Sequence, residues 1–189
     1  MVFRKLLLGV ALVVAVPAFC QTLPQATEGG IPLTVGAGYS NFNSDWSGRI
    51  SGYTLWADWA FYRAPGALRG IAVEGFGRDL NFDRTGTDPR LRQVVGGGGI
   101  VWAWRHYRVI QPYGKLLAGY GGIDFTTTDP FYNHDTRTVM AQGLGVNFNL
   151  HHMVIRADYE TQQWPNLFRH HSLTPGGVTI GVAYDFKNH

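Results

Sequence analysis

Near the end of the chain, "RHHS" (169–172) sets His170 two residues before Ser172. A histidine beside a serine can serve as base to a nucleophile, and a carboxylate such as Glu160 can orient the imidazole. The chemistry would be hydrolysis. The plain alternative is a polar loop. "NHD" (133–135) offers His134 and Asp135 as two ligands for a cation, in a stretch that reads equally well as a solvated loop. The run "GGGG" (96–99) is no phosphate cradle, because no helical pattern follows it. It reads as inward-facing or bulged strand. No cofactor and no metal are predicted.

A second group of reactive residues is spread along the chain. Asp58, Glu74, Lys115, Arg156, Asp158 and Glu160 each fall on the polar side of an alternating segment. "VIRADYETQQW" (154–164) shows the pattern best: Ile155, Ala157 and Tyr159 alternate with Arg156, Asp158 and Glu160. Period-two alternation belongs to a strand with two unlike faces. Full charges of both signs on one face must look either at water or at one another.

The elements that carry these residues are strands throughout. Beyond Ile31 no stretch has helical apolar spacing. Eight period-two segments are predicted instead, at 33–40, 52–62, 69–82, 91–104, 109–123, 141–150, 154–164 and 177–186. Their connections alternate between tight turns ("RAPGAL", "RHYR", "LHH") and longer polar loops. That describes an all-β, eight-stranded, up-and-down antiparallel barrel with both termini at the short-turn end.

Such a barrel can be soluble, apolar inside, or membrane-spanning and inverted. Three features choose the second. Gly36, Gly38, Gly97, Gly99, Gly143, Gly145 and Gly181 lie on the polar face, where eight converging strands leave little room. The charges on that face are few and mixed in sign, as a closed interior requires, because an unpaired buried charge costs several kcal/mol. The apolar face carries Trp59, Phe61, Trp102, Trp104, Tyr184 and Phe186 toward the short turns, and Tyr39, Tyr120 and Tyr159 toward the loops. Two belts of rings separated by aliphatic residues match the girdles of a membrane barrel. The six charged residues are therefore predicted to form an interior network.

Composition agrees. The chain has 189 residues, 15% of them charged, and 25 glycines; charge is low and glycine high for a globular domain. "MVFRKLLLGVALVVAVPAFCQT" has Arg4 and Lys5, an apolar run from Leu6 to Val16, then small residues. It reads as a secretory signal peptide over 1–20, cleaved before Gln21, with a short linker over 21–30 and the barrel over 31–186. The apolar run is too short to span a bilayer as a helix. Cys20 is the only cysteine, so no disulfide is expected in the mature chain. Removing residues 1–20 takes away Arg4, Lys5 and no acid, lowering the net charge from +3 to +1. No Lys/Arg cluster supports a nucleic-acid partner.

"QPYGKLLAGYGG", "IRADYETQQWP" and "LTPGGVTIGVAYDF" resemble segments of small bacterial outer-membrane β-barrel proteins, the OmpA/OmpX-like group. The resemblance covers nearly all of 31–186. It implies residence in the cell outer membrane, contact with outer-membrane lipid and lipopolysaccharide, and delivery by the barrel assembly machinery. Phe186 takes the place of that family's terminal aromatic signal, although Lys187, Asn188 and His189 follow it. The role implied is structural, surface-contacting or narrowly porin-like, and non-enzymatic, with Trp46, Phe131 and Phe168 as candidate contact residues in loops. Two alternatives remain. The His170 and Ser172 spacing is similar to that of outer-membrane lipid A deacylases, which place Asn after the Ser where Leu173 stands here. A secreted soluble ligand-binding barrel is the other.

Overall fold

The computed structural model describes residues 32–45, 48–61, 66–81, 91–125, 134–167 and 171–186. Nine strands follow one another: β1 (Leu33–Asn43), β2 (Arg49–Ala60), β3 (Ile71–Asn81), β4 (Leu91–Ala103), β5 (Ile110–Phe125), β6 (His134–Leu150), β7 (Met153–Leu167), β8 (His171–Leu173) and β9 (Gly176–Asp185). A short 3-10 turn, Gly66–Gly70, leads into β3. Each of β1 to β7 pairs antiparallel with its neighbour in sequence, and β9 joins β7 to β1. The ring closes, so every stave has two partners, as backbone polar groups in lipid require. At the seam Phe186 N–H donates to Leu33 C=O at 3.0 Å.

The three-residue β8 lies outside the ring and pairs only with the loop end of β7. The pairing slips between Trp164 and Leu167. Pro165 has no N–H to give there, and Asn166 takes φ 56°. Together they bulge the strand.

Several staves outrun the period-two segments. β6 starts at His134 rather than 141, and β7 ends at Leu167 rather than 164. Residues 134–138 bear polar side chains on both faces, so no apolar contrast marks them as strand. Hydrogen bonding to β5 (Ile123 opposite Asp135, Gly121 opposite Arg137) makes them one. "NHD" therefore supplies strand residues at 134 and 135, not a loop. After β1, Ser44 N–H donates to Gly48 C=O at 2.7 Å and Asp45 takes φ 63°, with β2 starting at Arg49. At the other end His151 takes φ 60° in the two-residue turn from β6 to β7, the backbone such hairpins need.

The sheet is inverted. Leu116 is 68% exposed and Leu144 75%, whereas Glu74 is 2% exposed and Glu160 fully buried. Trp59, Phe61, Trp102, Trp104, Tyr184 and Phe186 ring the exterior at the short-turn end. Tyr39, Tyr53, Tyr120 and Tyr159 ring it toward the loops, and Tyr39 meets Tyr53 edge to face at 6.2 Å. Inside, glycine makes room for large rings: a Cβ at Gly36 or Gly181 would run into Trp56, and one at Gly145 into Tyr113. In the Gly96–Gly99 run, Gly97 and Gly99 share the inward parity of buried Val95 and Val101, and the register to β5 continues through the run without a bulge.

Candidate functional site

One strand supplies the spine of the lumen. Arg156, Asp158, Glu160, Gln162 and Trp164 are alternate residues of β7, so all five point inward, in order from the short-turn end to the loop end. The neighbouring staves bring partners to each level. β2 adds Thr54, Trp56 and Asp58; β3 adds Glu74, Phe76 and Arg78; β5 adds Tyr113 and Lys115.

At the lowest level Arg156 donates through Nη1 to Glu74 Oε2 at 2.7 Å, through Nη2 to Asp58, and through Nε to Asn147 Oδ1 at 3.2 Å. Its guanidinium lies 4.8 Å from the Trp56 ring and 5.0 Å from the Tyr113 ring. This satisfies the cation with carboxylates in its plane and aromatic faces over it. One level up, Lys115 Nζ donates to Asp158 Oδ1 and to Glu160 Oε2, each at 2.8 Å. Tyr113 O–H donates to the other oxygen of Asp158 at 2.7 Å.

Above that, Arg78 grips Glu160 with both Nη atoms and donates through Nε to Thr54 Oγ1 at 2.9 Å. Phe42 lies under its guanidinium at 4.5 Å. The hydroxyls of Thr54, Ser40 and Thr179 continue the chain around the wall. Gln162 Nε2 donates to Glu160 at 3.1 Å, and its Oε1 accepts from Gln93 at 2.7 Å and from Trp164 at 2.9 Å. Trp164, Phe42, Ile50 and Leu80 fill the rest of the loop end.

Asp58, Glu74, Lys115, Arg156, Asp158 and Glu160 thus meet in one network. Arg78, Tyr113, Gln93, Asn147 and Gln162 belong to it too. Parity would have found them: Arg78 shares the face of Glu74, Tyr113 that of Lys115, and Gln162 that of Glu160. Among the described residues the buried charges are four carboxylates and three cations. The arrangement cross-links the staves through the interior of the tube.

His170 lies outside the described residues, as do Trp46, Phe131 and Phe168. Ser172 is an exposed residue of β8. Glu160 cannot orient a histidine there: it is sealed in the lumen with its oxygens taken by Arg78, Lys115 and Gln162. His134 and Asp135 are adjacent strand residues and point to opposite faces of β6. His134 pairs with Asp124, and Asp135 with Arg137 at 3.1 Å. They do not share a cation site. Among the described residues no group of three His, Cys, Asp or Glu could hold a metal ion. Phe186 stands half exposed on the exterior with its ring edge on Tyr184 at 4.9 Å.

Residues 6–186 match the model of a protein family described as the outer membrane protein beta-barrel domain. No curated protein matches the chain. Among solved structures it is similar to Ail, the attachment invasion locus protein of Yersinia pestis, at 22% identity and TM-score 0.58, over 84% of this chain and 99% of that one. Ail in complex with the heparin analogue sucrose octasulfate matches at 23% identity and TM-score 0.56, over 84% and 99%. Neisserial surface protein A matches at 14% identity and TM-score 0.63, over 84% and 100%. At these identities the likeness is one of fold. The chain belongs to the outer membrane protein β-barrel family, and it resides in the bacterial outer membrane.

Proposed function

We propose that this chain is a sealed, non-enzymatic barrel whose work is done at the cell surface and in holding the envelope together, not by passing solutes. The observation that supports this reading is the network of buried side chains bonded across the lumen. Arg156 ties β7 to β2 and β3, and Lys115 and Arg78 tie β5 and β3 to the same strand, so charged and aromatic side chains cross the bore at successive levels. A porin of small solutes needs a water-filled path, and eight strands leave an interior that side chains fill. Surface contact draws support from the fold it shares with Ail, the attachment invasion locus protein, one of whose structures holds the heparin analogue sucrose octasulfate.

The test is conductance. Protein refolded into planar bilayers gives no steady unitary current; a reproducible open channel overturns the sealed reading. Lipid A from cells with and without the chain keeps one acyl pattern. Loss of an acyl chain would instead install the hydrolase that uses His170 and Ser172. We further assign residues 1–20 to a signal peptide removed before Gln21, residues 21–30 to a linker, and Phe186 to recognition by the barrel assembly machinery. Intact mass of the mature protein and membrane yield of Phe186→Ala check these assignments.

A further inference from the structure

The exterior of the barrel carries one feature that an inert lipid-facing wall does not need. On β6, Gln142 points outward and is exposed. On that face Met140 and Leu144 along the strand and Leu116 directly across on β5 are apolar and exposed, while half-buried Thr161, directly across on β7, is polar. The Gln142 amide makes no hydrogen bond among the described residues. Water would satisfy such a group on a soluble protein. Beside the loop-side aromatic belt, the polar groups of a lipid compete for that role.

The amide also borders a hollow. A groove of about 620 Å³ runs over Gly114 on β5, walled by Ile100 and Trp102 of β4, Leu116 of β5 and Leu144 of β6. Thr161 and Tyr159 of β7 close its other side. Gly114 is the reason it exists: a Cβ there would meet only Leu144 at 3.5 Å and a backbone oxygen at 3.9 Å, so a side chain would simply fill the floor. Trp102, Gly114, Leu144 and Tyr159 stand in one register row across β4 to β7, so the groove runs around the wall on the short-turn side of Gln142. Gln142 lies opposite Thr161, two residues beyond Tyr159 on β7, and thus at the outer-leaflet end.

We propose that this groove docks an acyl chain of lipid A, the tail lying over Gly114 and Gln142 bonding the polar groups at the head of the chain. The amide has both a donor and an acceptor to satisfy. An ester-linked phospholipid tail offers acceptors alone. The hydroxylated, amide-linked chains of lipid A offer carbonyls, an N–H and hydroxyls at that depth, so they match both ends of Gln142. A second copy of the barrel fits less well, because two concave faces related by a two-fold axis would trap a void.

The measurement is native mass spectrometry of the full chain folded in micelles that contain either hexa-acylated lipid A or phosphatidylglycerol. The wild type retains one lipid A. Gln142→Leu, an apolar change on a lipid-facing wall, lowers that occupancy about two- to tenfold, the worth of one or two modest hydrogen bonds. Gly114→Leu fills the floor and removes the adduct, while Val182→Leu on the far wall changes nothing. Phosphatidylglycerol binds more weakly and is indifferent to Gln142→Leu. Unaltered lipid A occupancy in Gln142→Leu overturns the proposal. So does equal retention of phosphatidylglycerol, or a dimer that Gln142→Leu dissolves. Should Gly114→Leu fail to fold, Gln142→Leu decides alone.

Discussion

Glu160 accepts both terminal guanidinium nitrogens of Arg78, at 2.6 and 3.1 Å, across 82 residues of sequence and the full width of the lumen. Neither side chain touches solvent. The pair holds β7 against β3, strands that are not hydrogen-bonded neighbours. Lys115 shares the same carboxylate, so Glu160 is the anion Arg78 grips and one of two, with Asp158, that hold Lys115. Glu160→Leu therefore leaves two buried charges short of a partner and should destabilise the fold by about 3–5 kcal/mol. Arg78→Leu combined with Glu160→Leu removes one of those charges with its partner and should cost less than the sum of the single changes. Urea unfolding in detergent, followed by band shift on unboiled gels, measures both. Additive costs would deny the coupling.

Inversion of the sheet makes a separate claim about its outer wall. Leu55 is 62% exposed, outward-facing and near mid-strand in β2, while adjacent Thr54 is buried in the lumen network. Leu55→Arg puts a charge into hydrocarbon and should cost about 2–4 kcal/mol. Leu55→Val should cost little. The boiled and unboiled gel mobilities report whether each variant folds. If Leu55→Arg behaves as wild type, that face is wet and the barrel is not where its family places it.

Much of this was legible in the chain, for a reason that also explains what was not. Period two is visible only where the two faces differ in polarity. Across the bilayer they differ sharply, so Glu74, Lys115 and the β7 residues Arg156, Asp158 and Glu160 stand out against Val73, Leu116, Ile155 and Tyr159. Beyond the bilayer both faces meet water, and the contrast vanishes. His134 to Thr138 are strand only because β5 pairs with them. β8 has three residues and one partner, too little for any pattern. Tyr113 was hidden differently. Aromatic residues in such a strand suggest the lipid face, yet Tyr113 points inward, where its hydroxyl meets Asp158 and its ring covers Arg156. Glu160 was misplaced as a partner for "RHHS" because a charge on the polar face of a strand does not say at which level of the tube its bonds are made, and its oxygens belong to Arg78, Lys115 and Gln162.

Adjacent residues on one strand give a direct reading of which side is lipid. Ile180 is 59% exposed and Thr179 is 2% exposed, bonded to Ser40 inside the tube. Cys20, the one native cysteine, lies in the segment assigned to the signal peptide, so single cysteines at 179 and 180 can carry a fluorophore without interference. A label at Ile180→Cys should be quenched by brominated acyl chains. Thr179→Cys should react slowly from either phase and, once labelled in the unfolded chain, hinder refolding. Equal quenching at both positions would place the two side chains in one environment, which the pleat forbids.

Packing of the lumen makes the most specific demand on the sequence. Trp56 lies flat across β1 and β9, where any Cβ at Gly36 or Gly181 would enter its ring. The indole in turn carries the Arg156 guanidinium at 4.8 Å, so it cannot swing away without uncovering that cation. Gly36→Leu should therefore block folding, and the heat-dependent band shift should disappear. Trp56→Ala alone should fold but lose about 3–5 kcal/mol to the cavity. Joined, the two changes restore volume: leucine at 36 occupies part of the space the indole left. The double variant should recover the folded band that Gly36→Leu lacks, with a coupling of opposite sign to the single costs. A double variant no better folded than Gly36→Leu would show that the Ala183 methyl, 2.7 Å from a Cβ at 36, excludes a side chain there even without the ring above it.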